Sequence, residues 1–149
     1  VEKSCWQMRK ADVALVVNPD PRAGLSSSLQ VALRAIEARD SAAGGADSVE
    51  GVLLTLVDQP LITVQHLHAI LAAGAATGIA ATSWPGTFGA PTFLYRSFFP
   101  SLRDLRGDEG AKKILRAERA RLRLVEFLDA EMDVDDEEDY ERLLSGAKA

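Results

Sequence analysis

The sequence has few of the features that mark secreted or membrane proteins. Cys5 is its only cysteine, so no disulfide can form within the chain, and this favours a reducing compartment. The least charged stretch, residues 69–88, is interrupted by three glycines and one proline and is too weakly apolar for a transmembrane helix. The first ten residues lack the apolar core of a signal peptide, so we expect a cytoplasmic protein.

The sequence also lacks an excess of basic residues. Its net charge is -5 and its pI is near 5.0, which argues against nucleic acid as a partner, because binding a polyanion normally requires a basic face. The 149 residues, 47% of them hydrophobic, are enough for one domain with a core and little more.

Apolar strand patterns alternate with helical patterns along the chain, which is typical of an α/β sheet covered by helices. The patterns predict strands at residues 11–17, 51–57, 79–83, 92–95 and 122–128. They predict helices at residues 26–39, 63–76 and 108–118, and no linker divides the chain.

The strand predicted at residues 51–57 ends in Asp58 and Pro60. In open α/β sheets ligands bind beyond the carboxyl ends of such buried strands, so Asp58 lies where catalytic and binding residues are usually found. The alternative is that Asp58 only caps the helix that follows Pro60.

A second acidic element, here called the acidic segment (residues 129–140), follows the strand predicted at 122–128. Blocks of like charge are usually solvated, but apolar side chains such as Met132 and Val134 interrupt this one and can anchor it. Anchored carboxylates are suitable ligands for Mg²⁺, which proteins usually hold by one or two carboxylates and substrate phosphates. Asp58 and Asp135 are therefore a candidate metal pair.

Two glycine-containing loops precede predicted helices. Gly24 is followed by three serines, whose position at a helix start suits an anion or a base edge, although helix capping alone also explains them. Gly107 and Gly110 precede Lys112 and Lys113, where a cap with a solvated face is the simpler interpretation. His66 and His68 point to different sides of a helix, so we interpret them as surface or partly buried side chains rather than metal ligands.

Five motifs in order resemble the MobA-like nucleotidyltransferases, and within that family most closely the molybdenum cofactor cytidylyltransferases. They are NPxxxAGLSSSL at residues 18–29, VDQP at 57–60, GxPxxL at 89–94, GDxGA at 107–111 and DVDxxxDY at 133–140. The resemblance implies a Rossmann-like, GT-A-like three-layer nucleotidyltransferase domain with a mostly parallel sheet. It also implies transfer of a nucleoside monophosphate from CTP, favoured over GTP, to a phosphorylated acceptor such as molybdopterin, with release of pyrophosphate.

The resemblance assigns roles to particular residues. Asp58 and Asp135 resemble the catalytic Mg²⁺ ligands, with Asp133 as a neighbouring ligand. The residues that resemble substrate-binding positions are Asn18, Gly24, Leu25, Ser26, Ser27, Ser28, Gln59, Pro60, Gly89 and Pro91, and Ser28 is the one favoured for the nucleobase and ribose pocket.

The sequence departs from the family pattern in three places. Ala90 stands where histidine is common in the family, and Glu137 replaces a proline of the last motif. These two departures concern the choice of acceptor and the shape of the final loop. Residues 1–17 contain no glycine, so the glycine-rich triphosphate loop and its first strands are expected to be missing from a single domain spanning 1–149. The strand at 52–57 would then have an unpaired apolar edge that promotes self-association.

The alternative to nucleotidyl transfer is that the chain is a non-catalytic nucleotide-binding or partner-binding remnant of the fold.

Overall fold

A computed structural model describes residues 13–42, 44 and 48–146. The four strands are β1 (Gly51–Leu54), β2 (Ile79–Trp84), β3 (Thr87–Tyr95) and β4 (Arg123–Glu126). The helices are α1 (Leu25–Ala42), α2 (Val64–Thr77), α3 (Phe99–Arg103), α4 (Lys112–Ala117) and α5 (Glu137–Gly146). Short 3₁₀ turns occupy Pro21–Ala23, Arg96–Phe98 and Leu128–Glu131.

The sheet has the strand order β1-β3-β2-β4. β3 pairs antiparallel with β1 and β2, and β2 pairs parallel with β4, so three strands share one direction and β3 runs against them. The α/β nucleotidyltransferase-like fold is confirmed, but the sheet is mixed in its pairings rather than mostly parallel. The reason is a tight turn at Pro85–Gly86, which folds β3 back on β2 as a hairpin.

Alternate residues of the sheet face two helical layers, as the two-residue period of a strand requires. Ile79, Ala81 and Leu94 face the larger core, which includes residues of α1, α3 and α4. Ala80 and Phe93 face the other side, where Ile70 of α2 covers them. The chain therefore forms a helix–sheet–helix sandwich.

β1 lies at an edge of the described sheet, as predicted, and it is shorter than predicted. Pairing with β3 ends at Leu54, and Leu56 and Val57 are 49% and 105% exposed. Residues 13–17 of the strand predicted at 11–17 have no regular structure and are exposed, and residues 11–12 lie outside the described residues. A strand needs a neighbour for its hydrogen bonds, and these apolar runs have none in the described sheet. Self-association through this edge stays a prediction.

An ion pair fixes the start of β1. The Asp40 carboxylate, near the end of α1, accepts the Val49 N–H at 3.2 Å and pairs with Arg96, which also donates to the Val49 carbonyl at 3.0 Å. The Arg96 guanidinium holds the pKa of Asp40 below its ordinary value. The backbone just before β1 is thereby tied to α1 and to the residue that follows β3.

No helix in the described part of the chain is both long and apolar enough to cross a bilayer.

Candidate functional site

Asp58 lies in a turn that the acidic segment contacts directly. The Val134 N–H donates to the Asp58 carbonyl at 2.9 Å, which brings the turn beside Asp133 and Asp135. Asp58 does not cap α2, because the Thr63 hydroxyl accepts the His66 N–H at 3.2 Å in that role. The capping alternative for Asp58 is therefore wrong.

Two neighbouring acceptors in this turn are buried without a hydrogen-bond partner among the described residues. They are Oδ1 of Asp58 and Oε1 of Gln59. The Gln59 amide nitrogen donates to the Ala130 carbonyl at 3.1 Å, so its side chain is held in place while its oxygen is unpaired. Buried acceptors are normally satisfied, and such an orphaned pair is suited to a cation or to a donor on a ligand.

The acidic segment is ordered by one of its own carboxylates. Asp139 accepts the N–H groups of Asp135 at 3.0 Å and Asp136 at 3.3 Å, and it also pairs with Arg142. The hydrogen bond from the Asp135 N–H is the largest of the causes that lower the pKa of Asp139. The prediction of an anchored rather than a uniformly solvated segment is confirmed here, because Met132 and Val134 are both half-buried.

The Asp133 and Asp135 side chains are exposed beside this ordered backbone. Within the described residues, no group of three or more Asp, Glu, His or Cys side chains is arranged to hold a metal ion by itself. A site here would therefore be a partial one, with one or two carboxylates and further oxygens supplied by a substrate.

A cavity of about 600 Å³, here the central cavity, opens between β1, the β2–β3 hairpin and α4. Four residues predicted at the site line it, together with Ala90, which replaces the family histidine. These four are Leu25, Gln59, Gly89 and Asp133. Asp133 and Glu131 also line an adjoining acidic cavity of about 450 Å³, so the acidic segment separates the two spaces.

The serine loop, residues 24–28, is held by close backbone contact rather than by capping. Gly24 has φ 91° and ψ 176°, and a Cβ there would lie 2.3 Å from the Gly107 carbonyl carbon. The Ser26 N–H donates to the Gly107 carbonyl at 3.0 Å, and the Ser27 hydroxyl donates to the Gly24 carbonyl at 2.7 Å. All three serines lie inside α1, so the alternative that capping alone explains them is wrong.

Asn18 joins this loop to α1. Its amide nitrogen donates to the hydroxyls of Ser27 at 2.7 Å and Ser28 at 3.0 Å, and Ser28 is exposed. Neither serine lines the central cavity, whereas Leu25 does. The structure therefore brings Asn18 and the serines together at one place beside the cavity.

The two predicted prolines and Glu137 have different surroundings. Pro91 is fully buried and does not line the central cavity, and its carbonyl accepts the Thr82 hydroxyl at 3.0 Å. Pro60 is exposed in the turn after Asp58. Glu137 is the exposed first residue of α5.

His66 is buried, whereas we interpreted it from the sequence as a surface or partly buried side chain. It is 5% exposed, its Nε2 lies 2.8 Å from the Thr82 hydroxyl oxygen, and its ring centroid is 4.5 Å from that of Phe127. Because Thr82 donates its single hydroxyl proton to Pro91, Nε2 must donate to Thr82. Burial lowers the pKa of His66. The spacing to Ile70 and Gly74, one and two helical turns on, is the signal that could have identified this buried face.

Solved structures with detectable sequence similarity share this architecture. A homologue of Mycobacterium tuberculosis Rv0371c from Mycobacterium sp. strain JC1 is 30% identical, with a TM-score of 0.65 over 91% of this chain and 60% of that chain. Rv0371c of M. tuberculosis H37Rv in complex with manganese is 28% identical, with a TM-score of 0.65 over 95% of this chain and 74% of that chain.

A relative found by sequence similarity and a match to a protein family agree with this structural similarity. Purine catabolism protein PucB of Bacillus subtilis is 34% identical over 104 residues, which are 70% of this chain and 46% of that protein. The chain thus spans about half the length of this relative. Residues 2–123 match the MobA-like NTP transferase domain, and the chain belongs to that family.

Proposed function

We propose that this chain contains the metal-binding and substrate-binding part of a cytoplasmic nucleotidyltransferase. This nucleotidyltransferase transfers a nucleoside monophosphate from CTP, or from GTP, to a phosphorylated acceptor such as molybdopterin. The observation that carries this proposal is the Val134–Asp58 backbone hydrogen bond, which brings the acidic segment to a buried, unpaired Asp58 oxygen beside a ligand-sized cavity.

The reaction is a displacement at phosphorus. An oxygen of the acceptor phosphate forms a bond to the α-phosphorus of the nucleotide, the bond to the β-phosphate breaks, and pyrophosphate leaves with that electron pair. Such a transfer needs little covalent help from the protein and depends on positioning and charge neutralisation.

Mg²⁺ fits the residues present. Oδ1 of Asp58 is a buried acceptor without a partner among the described residues, and the Asp135 and Asp133 carboxylates are exposed on the adjoining segment. When bound, the ion neutralises the charge of the triphosphate and of the leaving pyrophosphate. The manganese complex of Rv0371c supports the use of a divalent cation in this fold.

The other proposed contacts belong to the substrates. Gln59 and Gly89 line the central cavity, and we assign Pro60 and Pro91, which do not line it, to supporting them from the adjoining turn and from β3. The loop from Gly24 through Leu25 to Ser28, with Asn18, forms the nucleobase and ribose side. We further propose that residues 1–149 belong to one domain of this family.

Nucleotide binding tests this proposal without requiring turnover. Asp58→Asn should weaken binding of Mg–CTP at least tenfold by titration calorimetry, because an amide replaces an anionic ligand while the packing is kept. Asp104→Asn makes the same chemical change at an exposed site on the end of α3 and should leave the affinity unchanged.

A version that carries the family's glycine-rich loop ahead of residue 1 then separates the two candidate functions. Magnesium-dependent pyrophosphate release from that version, lost in Asp58→Asn, is expected of the transferase. Tight CTP binding with no pyrophosphate release would favour the binding remnant instead. Equal CTP affinity for Asp58→Asn, Asp104→Asn and the parent chain would contradict the assigned site.

A further inference from the structure

β3 departs from regular pairing at residues 89–91, here called the bulge. Ala81 of β2 lies opposite Thr92, but the next residue, Thr82, lies opposite Gly89, so β3 has two extra residues between these pairs. Bulges are often found next to active sites, where they redirect the strand and its side chains. Because the ladder is interrupted here, other contacts must fix the course of the backbone.

The bulge forms part of the wall of the central cavity. Gly89 and Ala90 line this cavity, together with Thr55 and Leu56, which follow β1. Pairing of β1 with β3 ends at Leu54, so no residue of β1 pairs with the bulge. The position of the bulge backbone therefore determines the shape of the cavity on its β3 side.

Two buried threonines hold the backbone of the bulge. The Thr92 hydroxyl donates to the Gly89 carbonyl at 2.9 Å, and the Thr82 hydroxyl donates to the Pro91 carbonyl at 3.0 Å. Thr82 is 0% exposed and Thr92 is 1% exposed, so water does not compete for either hydrogen bond. The carbonyls at both ends of the bulge are thereby fixed from within the protein.

His66 orients one of these threonines. Its Nε2 donates to the Thr82 hydroxyl oxygen at 2.8 Å, and Thr82 directs its only hydroxyl proton to Pro91. The imidazole is itself held in place, because it packs on the ring of Phe127 and the His66 N–H donates to the Thr63 hydroxyl. A hydroxyl can rotate about its C–O bond, so the donor from His66 selects the orientation that serves the bulge.

We propose that His66 is a positioning residue of the active site, which acts through Thr82 to fix the bulge and with it the wall of the central cavity. Its role is indirect, because neither His66 nor Thr82 lines the cavity. Ligand affinity therefore depends on the Thr82 hydroxyl and on a hydrogen-bond donor at position 66, beyond their effect on stability. The link from this wall to CTP affinity rests on the proposed function.

Titration calorimetry with Mg–CTP, at a temperature where every variant is folded, tests the proposal. Thr82→Val removes the hydroxyl at nearly constant volume and should weaken binding about fivefold, because the bulge loses a hydrogen bond, whereas Thr82→Ser should retain the parent affinity. His66→Phe should weaken binding to a similar extent. The double variant should bind no more weakly than Thr82→Val alone, because the two side chains form one chain of hydrogen bonds.

Gly78→Ala is the matched control for lost stability. Gly78 follows the far end of α2 from His66 and has φ 82°, so an alanine there destabilises the same helix without lining the cavity. Its affinity for Mg–CTP should equal that of the parent chain, even where its melting temperature falls as much as in Thr82→Val. Equal loss of affinity in Gly78→Ala and Thr82→Val would overturn the proposal. So would equal loss in Thr82→Ser and Thr82→Val, or an unchanged affinity in His66→Phe.

The NMR amide signals of the bulge distinguish a failure of this proposal from a failure of the proposed function. The Gly89 and Ala90 signals should move in His66→Phe and Thr82→Val, and should keep their parent positions in Thr82→Ser and Gly78→Ala. If Mg–CTP does not bind the parent chain, the proposed function fails, and these signals alone decide whether His66 fixes the bulge. Signals that do not move in His66→Phe would overturn that role.

Discussion

Gly24→Ala is the substitution that most directly perturbs the contact between the serine loop and the Gly107 loop. The Gly24 backbone, with φ 91° and ψ 176°, lies in a region that is essentially restricted to glycine, and another residue there costs about 1–3 kcal/mol. The new Cβ would also lie 2.3 Å from the Gly107 carbonyl carbon and 2.8 Å from the Asp108 nitrogen. Backbone atoms cannot rotate away, so the two loops must separate.

Separation of the loops breaks the hydrogen bond from the Ser26 N–H to the Gly107 carbonyl, which contributes about 1 kcal/mol. Together the two effects lower the free energy of unfolding by about 2–4 kcal/mol. At about 2–4 °C per kcal/mol for a chain of this size, the melting temperature should fall by at least about 4 °C. Because Leu25 lines the central cavity, CTP affinity should fall as well.

Gly86→Ala is the control for a positive φ alone. Gly86 has φ 80°, but no atom lies within 4 Å of the position that the alanine Cβ would take, so only the cost of a left-handed backbone, about 1–2 kcal/mol, is expected. Urea unfolding of both variants gives the comparison. The reasoning is refuted if Gly24→Ala is no more destabilising than Gly86→Ala and binds CTP like the parent chain.

Two further predictions concern the supports of the site. His66→Phe should destabilise the fold by about 1–2 kcal/mol, because the hydrogen bond to Thr82 is lost, and His66→Gln, which keeps a donor, should destabilise it less. The control His68→Phe, at an exposed position, should change stability by less than about 0.5 kcal/mol. Equal effects of the two phenylalanine variants in thermal melts would be inconsistent with the hydrogen bond. The pKa of Asp139 is lowered in the folded chain, so its contribution to stability is complete above its unfolded pKa and is lost as the pH falls through the lowered value. Protection of the Asp135 amide in hydrogen exchange should decrease over that acidic range and should be low at every pH in Asp139→Ala.

Local signals in the sequence were enough to place α1 and α2, whereas the helix predicted at 108–118 spans only Lys112–Ala117. Thr63 at the start of α2 and Gly78 after its end are standard boundary residues, and the structure uses both as caps. The start of α5 at Glu137, within the acidic segment, likewise follows from local hydrogen bonding, because Asp136 accepts the Asp139 N–H at 3.0 Å.

Features that depend on distant partners were less predictable. The apolar runs at 13–17 and 55–57 have strand composition, but whether they pair depends on neighbouring strands that composition does not reveal. The hydrogen bond between His66 and Thr82 could not be predicted, because Thr82 comes from another element, sixteen residues away. The order of the family motifs indicated that Asp58 and Asp135 belong together, while the hydrogen bond from Val134 to Asp58 required the fold.

Manganese located by anomalous scattering tests the central claim, that Asp58 and the acidic segment form one metal–nucleotide site. Crystals of the chain grown with Mn²⁺ and CTP should show one anomalous peak within coordination distance of the Asp58 and Asp135 carboxylates, with triphosphate oxygens completing the shell. The peak should disappear in Asp58→Asn and persist in Asp104→Asn. A peak held only by the acidic cavity residues Asp129 and Glu131, unchanged in Asp58→Asn, would contradict the account.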